Sequence, residues 1–366
     1  MVNPVAGVGG RVGLKGSDGP DIVRKALEAG AIPRSPERAT EALRRMAVLR
    51  GRIELLTSPG EMGEDEATMA GFECVVVGSV ASHPTTAEDT KAAAAEMAQG
   101  GVHLLLFAGG DGTARDIYEA GGDRLPVLGI PAGVKIHSAA FAVSPRAAGD
   151  LTASFLFGPS PTLREAEVLD VDEAAFREGR VSAQLHGYLR VPFERALVQS
   201  PKAGALPDET RSAAAIAAQV LEDMHGHRVY IVGPGTTTRP ILEALGLRKT
   251  LLGVDVLMNR HLVVSDASER DLLRLVERNP ATILVTPIGG QGFLFGRGNQ
   301  PIGPEVIRRV GRGNLIVVAT PAKIASLEGR PFLVDTGESG LDRELAGYVR
   351  VITGFGRSAI YSVEAA

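Results

Sequence analysis

Tryptophan is absent from the 366-residue chain, and aromatic residues together make up 4% of it. Single-stranded nucleic acid is held on stacked aromatic rings, so a chain this poor in them offers no such platform. Basic charge is not in excess either. The net charge is −4 and the pI about 6.0, which leaves no global positive field to draw DNA, RNA or an anionic membrane. The single cysteine, Cys74, sits in the apolar run "FECVVVG". No disulfide can form within the chain, and a reducing cytoplasm is the expected compartment. The opening "MVNPVAGVGG" lacks the basic-then-apolar pattern of a signal peptide. No apolar run approaches the roughly 20 residues of a membrane span. Solenoid-type repeats and low-complexity linkers are also missing.

What is present is an ordinary globular balance, with 44% hydrophobic and 22% charged residues. The length exceeds one ordinary core and predicts about two domains. "ELLTS" (54–58), "CVVVGS" (74–79), "HLLLFAG" (103–109) and "PVLGIP" (126–131) read as short, continuously apolar strands. That is the pattern of a parallel sheet covered on both faces. Helical stretches lie between them at 35–49 and 86–101, the second with a Thr cap, early acids and a Gly-Gly stop. Alternating strands and helices predict a doubly wound α/β domain over residues 1–140. One oddity is that "NP" follows a two-residue stub, where such a domain wants about five apolar residues. The first strand is expected to be very short or to be cut by the chosen start.

The texture changes after a connecting helix at 144–158. Residues 165–193 alternate in hydrophobicity around "REGR", as in an antiparallel ribbon. A helix at 206–226 and four further apolar runs follow. Residues 141–345 therefore read as a β-rich, mixed α/β domain, with the strands of 346–366 returning to the first domain.

Glycine-rich loops follow several of these strands: "NPVAGVGGRVGLKGSDG" (3–19), "GGDGT" (109–113), "GIPAGVKIHS" (129–138), "GPGTTTR" (233–239) and "TPIGGQGFLFGRGNQ" (286–300). In an open α/β sheet, ligands sit beyond the carboxyl ends of strands, where glycines let backbone N–H groups approach phosphate. None is a Walker A loop, and none has good G-x-G-x-x-G spacing, so neither a P-loop NTPase nor a hydride-transfer enzyme is indicated. Asp111 within "LLLFAGGDGT" is either a turn former or a functional carboxylate. In the second case it suits a general base for a hydroxyl, or a carboxylate near Mg²⁺. The seven histidines show no metal-ligand spacing, His137 has no predicted partner, and no G-x-S-x-G elbow supports hydrolysis. Arg297 is either a phosphate contact or an ordinary loop arginine.

"GGDGT" after an apolar strand, with "NP-x-AG" near the start, resembles the superfamily of NAD kinases and diacylglycerol-type lipid kinases. "GIPAGVKIHSAAFA", "AEVLDVDE" and the two long glycine motifs are similar to its ATP-NAD kinase-like branch, which includes proteins annotated beside acetoin catabolism. The likeness runs over essentially the whole chain. It implies an NAD kinase-like fold and an ATP-dependent enzyme that phosphorylates the adenosine-ribose 2′-hydroxyl of NAD to give NADP. It implies Asp111 as the base that takes the hydroxyl proton, with Gly109, Gly110, Gly112 and Thr113 lining the nucleotide cleft between the domains. Phosphoryl transfer is mostly positioning and charge neutralisation, so a divalent cation such as Mg²⁺ is expected, with Lys15, Arg115 and Lys135 as candidate cations. The rest of the expected nucleotide-binding set is Asn3, Gly9, Gly10, Gly133, Ser138, Thr236, Thr237, Thr238 and Arg239. Expected partners are small-molecule nucleotides, with neither nucleic acid nor membrane, and a homo-oligomer follows by analogy.

Two departures bear on the acceptor. The Asn-Glu pair that grips the nicotinamide ribose in NAD kinases does not occur here. The 129–138 loop also resembles the lipid-kinase "LPxGTxN" loop, with Val134 at the Thr position and Ser138 further along the loop where an Asn is expected nearby. The alternatives are a kinase of another hydroxyl, lipid or small polyol, and a catalytically silent nucleotide-binding regulator.

Overall fold

The computed structural model describes residues 1–14, 20–81, 84–133, 136–158, 162–171, 183–194, 207–250, 252–288, 290 and 292–366. The chain forms two compact units: Met1–Gly9 with Gly16–Pro201, and Gly10–Lys15 with Lys202–Ala366.

In the first unit, α1 (Pro20–Glu28), α2 (Ser35–Arg45), β1 (Leu55–Thr57), α3 (Glu64–Met69), β2 (Cys74–Val76) and α4 (Ala87–Gln99) come first. They are followed by β3 (Leu105–Gly109), α5 (Asp111–Glu119), β4 (Val127–Pro131), α6 (Pro145–Phe157) and a ribbon of β5 (Leu163–Val171) and β6 (Ala183–Pro192). β1 pairs parallel with β2, β3 pairs parallel with β4, and the ribbon is antiparallel. Side chains alternate across the strands as the pleat requires. Leu105, Phe107 and Val127 pack with Ala94 of α4 and Ile117 of α5. Ala108, Leu128 and Ile130 pack with Ala42 of α2 and Leu151 of α6. Both faces of the strands are thus covered by helices, which is why their sequences are apolar throughout. α4 starts where its cap predicts, with the Thr86 N–H donating to Asp89 Oδ2 at 2.8 Å.

The first unit runs to Pro201, not to 140. The physical reason is the ribbon. Ala166, Val168, Leu189 and Val191 are buried in the same core as α4 and α5. The "REGR" turn of the ribbon lies outside the described residues.

The second unit contains α7 (Pro207–Glu222), β7 (Val229–Val232), α8 (Arg239–Glu243), β8 (Asp255–Met258), β9 (His261–Val264), α9 (Glu269–Arg278), β10 (Ala281–Val285) and β11 (Phe293–Phe295). It continues through α10 (Pro304–Val310), β12 (Leu315–Val318), α11 (Pro321–Ser326), β13 (Phe332–Val334), α12 (Ser339–Leu345), β14 (Gly347–Gly354) and β15 (Arg357–Ala365). Its strands form one sheet in the order β11-β13-β15-β14-β12-β10-β7-β8-β9. β14 and β15 are hydrogen-bonded into this sheet through β12 and β13, so the chain's last strands are part of the second unit. At its centre β12, β10 and β7 run parallel. One face packs on α9, α10 and α12 through Leu272, Ile307 and Leu341. The other packs on α7 and α8 through Ile216, Val220 and Ile241. The unit is a β-rich mixed α/β layer structure.

Beside β8, Lys249 and Asp255 form an ion pair at 2.9 Å with side chains 1% and 0% exposed. The Lys249 ammonium also donates to the Gly253 carbonyl at 2.7 Å, and Asp255 accepts from the Thr250 and Asp266 N–H groups. Removing one member strands the other without water. Lys249→Met is expected to lower unfolding stability by about 3 kcal/mol or more, and Lys249→Met with Asp255→Leu by clearly less. Urea denaturation of the two variants measures the difference.

Glu66 on α3 is 2% exposed, and its Oε2 has no hydrogen-bond partner among the described residues. Burial pushes its carboxyl up to about 7, helped by Asp65 and Glu61 and opposed by its own backbone N–H and the Met1 amino group. The folded value lies above the ordinary 4.5, so the stability tied to this group is full below pH 4.5 and is lost as pH rises towards 7. Glu66→Gln should flatten that decline, by about 3 kcal/mol at most between pH 4.5 and pH 8. Urea midpoints at the two pH values check it.

Candidate functional site

β3 ends in Gly109, and α5 begins at Asp111 with Gly110 as its N-terminal flank. A side chain on Gly109 would collide with Thr113, one turn into α5. The small residue lets Thr113 fold back over the end of the strand. There the Thr113 hydroxyl accepts from Asn3 Nδ2 at 3.0 Å. Asn3 is itself fixed by β3, since its N–H donates to the Ala108 carbonyl at 3.0 Å. Its Oδ1 accepts from the Val5 N–H at 3.3 Å, which turns the "NPVAG" loop. Gly7 in that loop has φ +79°, and a side chain there would strike the Ala132 carbonyl. Ala132 and Gly133 both donate their N–H groups to the Gly109 carbonyl at 3.0 Å. Three loops distant in sequence therefore meet at the carboxyl ends of β3 and β4.

Asp111 lies at their centre and is 8% exposed. Its Oδ2 accepts from the His137 N–H at 2.7 Å, and its Oδ1 from the Ser138 N–H at 3.0 Å. His137 Nδ1 stands 3.2 Å from the same Oδ2. Ser138 is fully buried. Its hydroxyl donates to the Leu169 carbonyl at 2.9 Å and accepts from the Leu169 N–H at 3.0 Å, which pins the loop to β5. Asp111 is thus more than a turn former. A carboxylate at a strand end, held by N–H donors and touching an imidazole, can take or pass a proton.

Of the expected nucleotide-binding residues, Asn3, Gly109, Gly110, Gly112, Thr113, Gly133 and Ser138 belong to this cluster or flank it. Gly9 is the last residue of the opening segment of the first unit, and Gly10 falls in the second, where it packs on Gln300. Lys15 and Lys135 lie outside the described residues. Arg115 is engaged by Asp116 at 3.2 Å and by Glu119 at 3.9 Å. The Arg297 guanidinium sits over the Phe293 ring at 5.1 Å. Among the described residues no group of three or more His, Cys, Asp and Glu side chains is placed to hold a metal ion. No helix among them is long and apolar enough to cross a membrane.

Thr236–Arg239 belong to the second unit, after β7. Thr238 closes the loop by donating to the Gly233 and Gly235 carbonyls at 2.8 and 3.1 Å. Thr237 is fully buried, and its hydroxyl has no partner among the described residues. Arg239 is paired with Glu243 at 3.2 Å and half exposed. Gly235 lies against Thr286, which follows β10, and Lys323 Nζ donates to the Thr286 hydroxyl at 3.4 Å. Lys323 escaped the sequence reading, as did Thr320, whose hydroxyl accepts from the Lys323 N–H at 3.3 Å, while Thr286 entered it only as the first residue of the 286–300 loop. Their signal was the repeated "TP" after apolar strands in "ILVTP" and "IVVATP".

Two family models match the chain. The ATP-NAD kinase N-terminal domain covers residues 21–158 and the ATP-NAD kinase C-terminal domain covers residues 226–363. The first match contains Asp111 and the loop that holds it; the second contains the strand-end threonines. No curated protein matches the chain, and neither does any solved structure. With its two halves matched by the two domains of one enzyme family, in order and over most of its length, the chain belongs to the ATP-NAD kinase family.

Proposed function

We propose that this kinase transfers a phosphoryl group from ATP to the adenosine-ribose 2′-hydroxyl of NAD, giving NADP, with Asp111 as the base. The observation that carries the reading is the Asp111 carboxylate. It is buried at the carboxyl end of β3, among glycines, and its position is fixed by two backbone N–H donors. Anionic oxygens accept more than one donor, so the lone pairs left on Asp111 can still receive a hydroxyl proton. The glycines around it leave room for a ribose and a phosphate chain. A divalent cation is expected to arrive with the nucleotide phosphates, where it neutralises the charge of the transferred group. Asp111 and substrate oxygens suit the sparse protein ligation that Mg²⁺ accepts. In the second unit, Thr236, Thr237, Thr238 and Arg239 are the proposed phosphate or ribose contacts. A homo-oligomer is proposed on family analogy alone.

The 3.2 Å contact between Asp111 and His137 Nδ1 favours a second assignment. Here the imidazole takes the proton, and Asp111 is a positioning residue that orients it. Substitution separates the two. If Asp111 is the base, Asp111→Asn lowers kcat by roughly a hundredfold or more, while His137→Gln stays within about tenfold of wild type. If His137 is the base, His137→Gln carries the large loss. The assay mixes protein, NAD, ATP and Mg²⁺ and reads NADP with an NADP-specific dehydrogenase. Wild-type rates in Asp111→Asn would remove both roles. Absence of NADP from the unaltered protein, with NAD binding intact, would favour a regulatory nucleotide binder. NAD left unphosphorylated while another alcohol is phosphorylated would favour a different acceptor.

Thr113→Val tests positioning. It unties Asn3 at the cost of one hydrogen bond and should lower kcat/KM about tenfold, with the thermal unfolding midpoint little changed.

A further inference from the structure

The "NPVAG" loop of the first unit runs on into backbone donors that the fold does not use. Gly7, Val8 and Gly9 are buried. Their consecutive N–H groups make no hydrogen bond among the described residues. Buried backbone donors are almost always paired, so a run of open ones calls for a physical reason. Gly7 has a left-handed backbone, with φ +79°. A turn of that hand gathers successive N–H groups onto one concave face, and such a face attracts an anion.

The carbonyls at the start of the same loop are all spoken for, and Ser35, the first residue of α2, is what they share. Ser35 is fully buried. Its hydroxyl proton is shared between the Asn3 carbonyl and the Ala6 carbonyl, the second at 3.3 Å. The Ala6 carbonyl also accepts the N–H groups of Arg34 and Ser35 at 3.2 and 3.4 Å, and the Asn3 carbonyl accepts the Ala6 N–H at 3.1 Å. Both oxygens are therefore engaged by the start of α2. A carbonyl left loose beside the open N–H groups would repel an anion or take those donors for itself. Asn3 carries the constraint onward, since its Nδ2 donates to the Thr113 hydroxyl on α5.

We propose that Ser35 is a positioning residue: by holding the Asn3 and Ala6 carbonyls, it presents the N–H groups of Gly7, Val8 and Gly9 to the phosphate chain of the nucleotide donor. This rests on the reading above, in which the strand-end loops of the first unit hold a nucleotide, and adds the residue that shapes one of them. Ser35 acts through the loop and not on the reacting atoms. Its loss should therefore weaken the grip on the donor's phosphates and spare the acceptor. A hydroxyl needed only for folding would make no such distinction.

The test is titration calorimetry with ATP, inorganic tripolyphosphate and NAD as separate probes. Ser35→Ala is expected to weaken ATP and tripolyphosphate about tenfold, the scale of one lost hydrogen bond, and to leave NAD unchanged. In the NADP assay it should raise KM for ATP by a similar factor and keep kcat within about threefold, because the loop grips the phosphates equally before and during transfer. Thr40→Val is the control. It removes another buried hydroxyl of α2, one that donates to the Pro36 carbonyl at 2.9 Å, and should alter none of these values. In the unaltered protein, tripolyphosphate should slow exchange of the Gly7, Val8 and Gly9 amides at least tenfold, a measurement that needs no variant. ATP binding in Ser35→Ala equal to that of the unaltered protein would overturn the proposal and leave the nucleotide reading standing. Equal weakening of ATP and NAD, or exchange that bound tripolyphosphate does not slow, would overturn it too. Failure of the unaltered protein to bind ATP or tripolyphosphate would overturn the nucleotide reading along with it.

Discussion

The first unit depends on where the carboxylate of Asp111 spends its lone pairs. A buried carboxylate is costly unless donors surround it. Here the donors are the N–H groups of His137 and Ser138, 26 and 27 residues further along the chain. Those bonds do two things at once. They hold the loop after β4 against the start of α5, and they fix the direction of the oxygens themselves. Ser138 passes the constraint on to β5 through its paired bonds with Leu169. The ribbon, the loop and the proposed base are therefore one connected object. Moving any of them perturbs the others.

β3 is the element that makes this possible. Its odd-numbered side chains, Leu105 and Phe107, serve one helical layer, and Ala108 serves the other. Its last carbonyl, on Gly109, receives two N–H groups from the 131–133 segment, and its edge receives Asn3. A strand used on both faces, on both edges and at its end has no tolerance for polar or bulky substitution. That accounts for the uninterrupted apolar run followed at once by glycines. The same economy explains why Thr113 can serve as both a helix residue and a lid over the strand end. Gly109 gives it the space.

Much of this was legible in the sequence, because the signals were local. The runs 54–58, 74–79, 103–109 and 126–131 contain β1 to β4, and the Thr86 cap and Gly-Gly stop bracket α4. The glycine loops at the strand ends followed from the same pattern. What escaped reading was set by distance along the chain. Nothing in "GGDGT" names His137 and Ser138 as its donors, and His137 was left without a partner for that reason. The ribbon's allegiance to the first core depends on four small or branched side chains meeting α4 and α5, which alternation alone cannot assign. Short helices such as α3, with six residues, carry too little periodicity to stand out. The pairing of Lys249 with Asp255 is equally silent. Each residue alone reads as a surface charge, and only the fold removes the water.

Family membership fixes the reaction type more firmly than the acceptor, and the two units show why. Both end parallel strands in small and hydroxylated residues, the arrangement that lets an open α/β sheet meet a ligand at its carboxyl edge. The chemistry offered at the two edges differs. In the first unit the central group is a carboxylate in contact with an imidazole, which suits handling of a proton. In the second, the hydroxyl of Thr286 accompanies the ammonium of Lys323, which suits an anionic oxygen. Phosphoryl transfer requires both functions, and it requires little else from the protein beyond position. Neither edge specifies which alcohol is presented, because a carboxylate accepts a proton from any hydroxyl held within reach. The Asn-Glu pair of NAD kinases would have supplied that selection, and this chain has none. An NAD acceptor would therefore have to be selected by groups other than that pair.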